Sequence, residues 1–261
     1  MNRIGSANRI SGILPWVAVV LSVSSVSAAQ SPGDQWLDIV DRSIELHGGE
    51  IYRHSSSELQ VCSKSGCYRV RARIDGGLFD IEASGRVRDE ERRVRITNET
   101  VEYWQDGQAR TVGEERSQSL RSWVMARAYF VYLPFRLNDD SVIKQDLGIE
   151  VWDERPLRKV KVSFVASTSS GADDEFLYWF DPETARLEQF AYSFAGDPGG
   201  LRFRRAFNYR RVGGLLFFDQ ENWGADGDGL TVDEIHADGI ASWDLVSTVT
   251  IRKIVVKPLD P

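Results

Sequence analysis

Residues that build metal and redox sites are scarce in this chain of 261 residues, which has two cysteines, three histidines and two methionines. The histidines, His47, His54 and His236, never fall in a His-x-x-x-His pair, so the helical zinc site of the metallohydrolases is excluded. Neither a Gly-x-Ser-x-Gly elbow nor a glycine-rich phosphate loop is present, and the familiar hydrolases and nucleotide enzymes are disfavoured with them. Basic residues are outnumbered, 32 against 39 acidic, and the formal net charge of −7 argues against a nucleic-acid partner, which needs concentrated Lys and Arg. Long apolar runs are lacking too. The one run, Ile13 to Val23, covers about eleven residues against the roughly 20 that a spanning helix needs.

That run follows Arg3 and Arg9 and precedes Ser27-Ala28-Ala29, the three parts of a cleavable signal peptide over residues 1–29. An uncleaved membrane anchor is the alternative, and the shortness of the run counts against it. No cysteine follows the run, so the lipid-modified form of bacterial signal is not expected, and no transmembrane segment follows signal cleavage. Residues 30–261 then form a single, acidic, soluble domain in the periplasm or outside the cell. Cys62 and Cys67 lie across a Ser/Gly turn, in Cys-Ser-Lys-Ser-Gly-Cys, and outside the cytosol such a pair is expected to be a disulfide that staples a hairpin. Redox chemistry favours Cys-x-x-Cys, and zinc needs more ligands than stand nearby.

Helix signals are confined to two places. From Gln35 to Leu46, Trp36, Ile39, Val40 and Ile44 fall near helical spacing before Gly48-Gly49. From about Ser117 to Tyr132, Leu120, Trp123, Val124, Ala128 and Val131 share a side, and Pro134 closes the helix. Elsewhere the period is two: Tyr68, Val70, Ala72 and Ile74 alternate with Arg69, Arg71 and Arg73, and Val160, Val162 and Phe164 with Lys159 and Lys161. Turn signals fall at Asp106-Gly107, Asp181-Pro182, Asp197-Pro198-Gly199-Gly200 and Gly213-Gly214. The expected fold is mainly β (α+β): one large curved antiparallel sheet of roughly nine to eleven strands, a half-barrel, with two helices packed on its concave face.

A curled sheet covered by only two helices leaves room for a cleft. Trp123, Phe130, Phe190, Phe203, Phe207 and Tyr209 either line it or fill the core. His47 has two readings, as a cation capping the helix C-terminus or as a contact to a ligand head group. In the run Leu201 to Arg211, alternation places Arg202, Arg204, Asn208 and Arg210 on one face, with Phe203, Phe207, Tyr209 and Arg205 on the other. Arg205 on an apolar face calls for a carboxylate, Asp219 or Glu221, unless an anionic ligand meets it. Asp226, Asp228, Asp233 and Glu234 stand in a glycine-rich stretch, but Leu230 and Thr231 occupy positions where a calcium loop needs an oxygen ligand and glycine, so a solvated turn is expected. No cofactor, no metal and no catalytic residue is assigned.

Several segments together resemble a family of uncharacterised exported bacterial proteins with a lipoprotein-carrier-like (LolA/LolB-like) fold. They are His47-Gly48-Gly49, Tyr132 to Asp140, Asp174 to Trp179, Gly200 to Asn208, and Val212-Gly213-Gly214. The resemblance implies a curved sheet closed by helices, a hydrophobic cavity and a non-catalytic binding role, with a lipid or lipidated protein as partner to a monomer. Two other classes stay open: an envelope enzyme in which His47 works with Asp139, Asp140 or Asp219, and an interaction module that pairs through a sheet edge.

Overall fold

The computed structural model describes residues 35–165, 175–194, 199–226, 231–237 and 239–259. The expected leader lies outside them, as do Asp174, the Asp197-Pro198 turn, Asp228 and Leu230.

Period-two alternation dominates the sequence, and strands dominate the fold. β1 (His54–Ser63), β2 (Gly66–Asp75), β3 (Leu78–Val87), β4 (Glu90–Thr97), β5 (Val101–Gln105) and β6 (Gln108–Ala109) make one antiparallel meander. β7 (Val142–Trp152), β8 (Arg155–Phe164), β9 (Phe176–Phe180), β10 (Leu187–Phe194), β11 (Gly200–Val212), β12 (Leu215–Asp226) and β13 (Asp244–Pro258) make a second. Pairing of β13 with β1 joins them into one curved, open, 13-stranded antiparallel sheet with β6 and β7 at its edges. The strand count exceeds the expected nine to eleven partly because β5 and β6, five and two residues long, are too short to display a period.

Three helices pack on the sheet: α1 (Gln35–His47), α2 (Gly49–Arg53) and α3 (Glu114–Val131). The two expected from periodicity are α1 and α3, whereas α2, at five residues, is shorter than any stripe can reveal. Gly48 separates α1 from α2 at φ 141°, and a Cβ there would stand 2.5 Å from Leu215 Cδ2, so both backbone and space require glycine. α3 follows β6 at one edge and precedes β7 at the other. Its 18 residues, ~27 Å of helix, run across the concave face.

The main core lies between that face and the helices. Val40 and Ile44 of α1 and Leu120, Val124, Ala128 and Val131 of α3 meet Leu59, Val70, Ala83 and Val94 of the first meander. From the second meander come Phe176, Tyr178 and Phe190. A second apolar cluster occupies the outer face of β7 to β11: Trp152, Leu157, Trp179 and Phe203, covered by Val232 and Ile235. Trp152 and Phe203 stack there at 5.0 Å. With apolar clusters on both faces, the lysine side of the β8 alternation is covered as well. Lys159 is buried, paired with Glu150 at 3.0 Å and donating to the carbonyl of Ile235 at 3.2 Å.

The staple and the described turns follow the sequence. Cys62 and Cys67 are disulfide-bonded and are opposite partners in the β1–β2 hairpin. Gly213 and Gly214, both at positive φ, form the two-residue turn between β11 and β12.

Candidate functional site

The space between helices and sheet is not completely filled. Two clefts remain, one on each flank of α3.

The first, of about 270 Å³, lies between α1, α2, α3 and the β2–β3 turn. Ile44, Tyr52, Phe79, Met125, Ala128 and Tyr129 line it, and Leu78, 66% exposed, stands at its mouth. Two of its three phenols are hydrogen-bonded within the protein, and the third is held by its ring. Tyr132 and Ser57 share a hydrogen bond of 2.6 Å, Tyr129 and Tyr178 another of 2.6 Å, and Tyr52 stacks on Phe135 at 4.0 Å. Burial pushes the Tyr52 hydroxyl up to about 12, so it stays neutral. The rim charges are paired, with Arg136 held to Asp139 at 2.7 Å. What is left is an apolar and aromatic wall with a polar lip.

The second, of about 280 Å³, lies between α3 and strands β1, β2, β11, β12 and β13. Its apolar wall is Val61, Phe130, Val131, Val249 and Ile251, and its polar wall includes Tyr68, Arg127, Arg204, Gln220 and Asn222. The Arg204 side chain donates to Gln220 Oε1 at 2.7 Å and to Tyr192 Oη at 3.0 Å, with its guanidinium 4.5 Å from the Phe130 ring centroid. Arg127 donates to the carbonyl of Trp123 at 2.9 Å and stacks on that indole at 3.9 Å. Burial, with Arg92 nearby, lowers the Arg127 guanidinium from its ordinary value. The phenol of Tyr68 is raised by burial, and both arginines pull against that rise.

The expected site residues fall on different surfaces. Trp123, Phe130, Phe190 and Arg204 gather on the concave side, with Phe130 stacked on Phe190 at 5.7 Å. Phe203 faces the other way, into the outer cluster, and Phe207 is 36% exposed. Arg202 pairs with Asp226 at 2.8 Å. Arg205 pairs with Asp153 at 3.2 Å, not with Asp219 or Glu221, because its outward position brings it to the β7–β8 turn. Asp219 instead binds Asn208 and Arg210, at 2.7 and 2.8 Å.

The expected common face for Phe203, Phe207 and Tyr209 does not form. A bulge between Phe207 and Arg210, with Asn208 at φ 50°, reverses the alternation and turns Tyr209 onto the concave core. There the Tyr209 hydroxyl donates to the carbonyl of Leu187 at 2.6 Å and Arg186 covers its ring at 4.4 Å.

His47 is wholly buried and lines neither cleft. Its Nδ1–H donates to the carbonyl of Ser43 at 2.7 Å, and its ring meets Phe218 edge-on at 6.1 Å. Burial holds its pKa down at about 4, so it caps α1 as a neutral ring, not as the cation expected. Its Nε2 has no hydrogen-bond partner among the described residues, and Asp139 and Asp219 are engaged elsewhere. The acid–base pairing considered for an enzyme is therefore not formed.

Arg127 and Tyr68 were not singled out in the sequence, although a signal exists. Leu120, Val124, Arg127 and Val131 are spaced by four, three and four residues, so Arg127 stands within the apolar stripe of α3.

A curved antiparallel sheet with helix-flanked clefts is the class that fold and site define. Within that class, the model of a family described as "Family of unknown function (DUF6503)" matches residues 87–236, more than half of the chain, and the chain belongs to that family. No curated protein matches the sequence. The chain is similar in structure to a LolA superfamily protein from Nitrosomonas europaea, at 9% identity and TM-score 0.49, over 86% of this chain and 94% of that one. It is also similar to a putative outer membrane lipoprotein-sorting protein domain from Vibrio parahaemolyticus, at 9% identity and TM-score 0.41, over 76% and 94%. A third similar structure is the Mycobacterium tuberculosis lipoprotein LppX, at 15% identity and TM-score 0.30, over 62% and 88%. At such identities and TM-scores these likenesses say nothing of a ligand here.

Proposed function

We propose that this is an exported envelope protein that binds an apolar or amphiphilic ligand, a lipid or a lipidated partner, in the clefts beside α3. The observation that carries this reading is the first cleft, where an aromatic and aliphatic wall remains open while the Tyr129 and Tyr132 hydroxyls and the Arg136–Asp139 pair are already engaged within the protein. The secretion-type leader and the Cys62–Cys67 disulfide support an oxidising compartment outside the cytosol. Native mass spectrometry of the mature protein purified from the envelope, followed by organic extraction, tests it. Copurified lipid that a Met125→Trp variant no longer retains supports the reading. Folded protein that carries no ligand and takes up none from vesicles sinks it.

A second reading has its own observation. β7 is an edge strand of 11 residues on which Ile143, Leu147, Ile149 and Val151 are exposed, a row suited to strand addition by an envelope partner. An Ile149→Lys substitution that abolishes a stable complex recovered from the envelope would favour it.

A further inference from the structure

Many cations among the described residues meet an acid. Arg71 meets Glu58 at 3.0 Å, Arg92 meets Glu90 at 2.8 Å, Arg158 meets Asp146 at 2.6 Å, and Lys159 meets Glu150 at 3.0 Å. The groove on the arginine-bearing face of β2 to β4 is charged too, but its arginines have Glu58, Asp80 and Glu82 among them. In the second cleft the pattern breaks. Arg127 and Arg204 both line it, and among the described residues no carboxylate pairs with either. Glu90, the acid of the neighbouring Arg92, is taken up by that arginine and by the Tyr103 hydroxyl at 2.7 Å.

Two part-buried guanidiniums without a counter-charge are expensive unless something anionic joins them. The protein holds them ready for it. Trp123 lies against one guanidinium and Phe130 against the other, which fixes the planes and leaves N–H edges to point elsewhere. The Nε of each is buried and makes no hydrogen bond in the structure. Tyr68 feels both charges and lines the same space. Asn222, 8% exposed, has an unpartnered Oδ1 while its Nδ2 donates weakly to Ser247 Oγ at 3.3 Å.

We infer that the second cleft binds the anionic group, a carboxylate or phosphate, of an amphiphile between Arg127 and Arg204, with the adjoining carbons against Phe130, Val131 and Val249. This rests on the binding reading above for the chain, whereas the charge preference stands on the two arginines alone. About 280 Å³ falls just below the range of ligand pockets, which starts at roughly 300 Å³, so the space suits a head group and its first carbons, not a whole lipid.

Calorimetric titration of the mature chain with dodecanoate, dodecyl phosphate, dodecyl maltoside and dodecyltrimethylammonium, each below its micelle concentration, and with inorganic phosphate, tests the inference. The two anions are expected to bind at least tenfold more tightly than the neutral and cationic chains. Arg127→Gln and Arg204→Met should each weaken the anions by roughly ten- to a hundredfold and erase that preference, while Arg204→Lys should retain most of it. The ligand series on the unsubstituted protein decides the matter even if Arg204→Met fails to fold. Equal binding of all three charge types overturns the head-group assignment and leaves amphiphile binding standing. No binding of any chain overturns both. Inorganic phosphate binding as tightly as dodecyl phosphate supports the anion site and makes the free anion its ligand.

Discussion

Protonating His47 puts a charge where nothing awaits it. Its pKa in the folded chain is about 4, below the 6.5 of a free imidazole, so the unfolded chain takes up the proton first. The stability held in this way is fully present above pH 6.5 and is lost as pH falls from 6.5 toward 4, on the order of 3 kcal/mol in all. His47→Asn keeps a donor for the Ser43 carbonyl but removes the titration. Urea midpoints measured from pH 7 to pH 4 should therefore fall less steeply for the variant, and parallel curves would show that His47 does not govern this range. Gly48 is the second residue on which this corner depends. Gly48→Ala forces a Cβ against Leu215 at a backbone angle that alanine resists, and thermal unfolding should report a loss of about 1–3 kcal/mol.

Among elements, the segment 231–237 does the covering work of a helix without being one. Its short 3-10 turn is Val232–Glu234, and Val232 and Ile235 cover Trp152, Trp179 and Phe203. Ile235→Ala should cost about 2–4 kcal/mol and expose the indoles, which a rise in iodide quenching of tryptophan fluorescence would register. Unchanged quenching and unchanged stability would mean that the cover is dispensable.

Sequence pattern reached α1, α3, the hairpin staple and the described turns because each rests on local spacing or on turn-forming residues such as glycine. It missed the outer cluster because a chain segment that covers a strand face from a distance leaves no period of its own. The five-residue run Phe176 to Phe180, buried throughout, was the available sign of a strand covered on both faces. Of the site, Phe130 and Arg204 were legible, but their partner Arg127 was not, since a cation inside a helical stripe reads first as a break in the pattern. The bulge at Asn208 was equally hidden, and it alone redirected Tyr209.

For the whole molecule, the disulfide and the strand pairing at the middle of the sheet make separate claims. Closing so short a loop, Cys62 to Cys67 holds ~2 kcal/mol by loop entropy, so a Cys62→Ser, Cys67→Ser variant should fold and melt a few degrees lower in calorimetry. Failure to fold would show the staple to be indispensable to the β1–β2 hairpin. The pairing of β13 with β1 carries a further consequence. The strand that joins the two meanders comes from the far end of the described sequence, so neither half of the sheet has its central neighbour until that segment has emerged. A nascent chain built in this order cannot finish its sheet until the last described strand has been made, however early its separate hairpins pair.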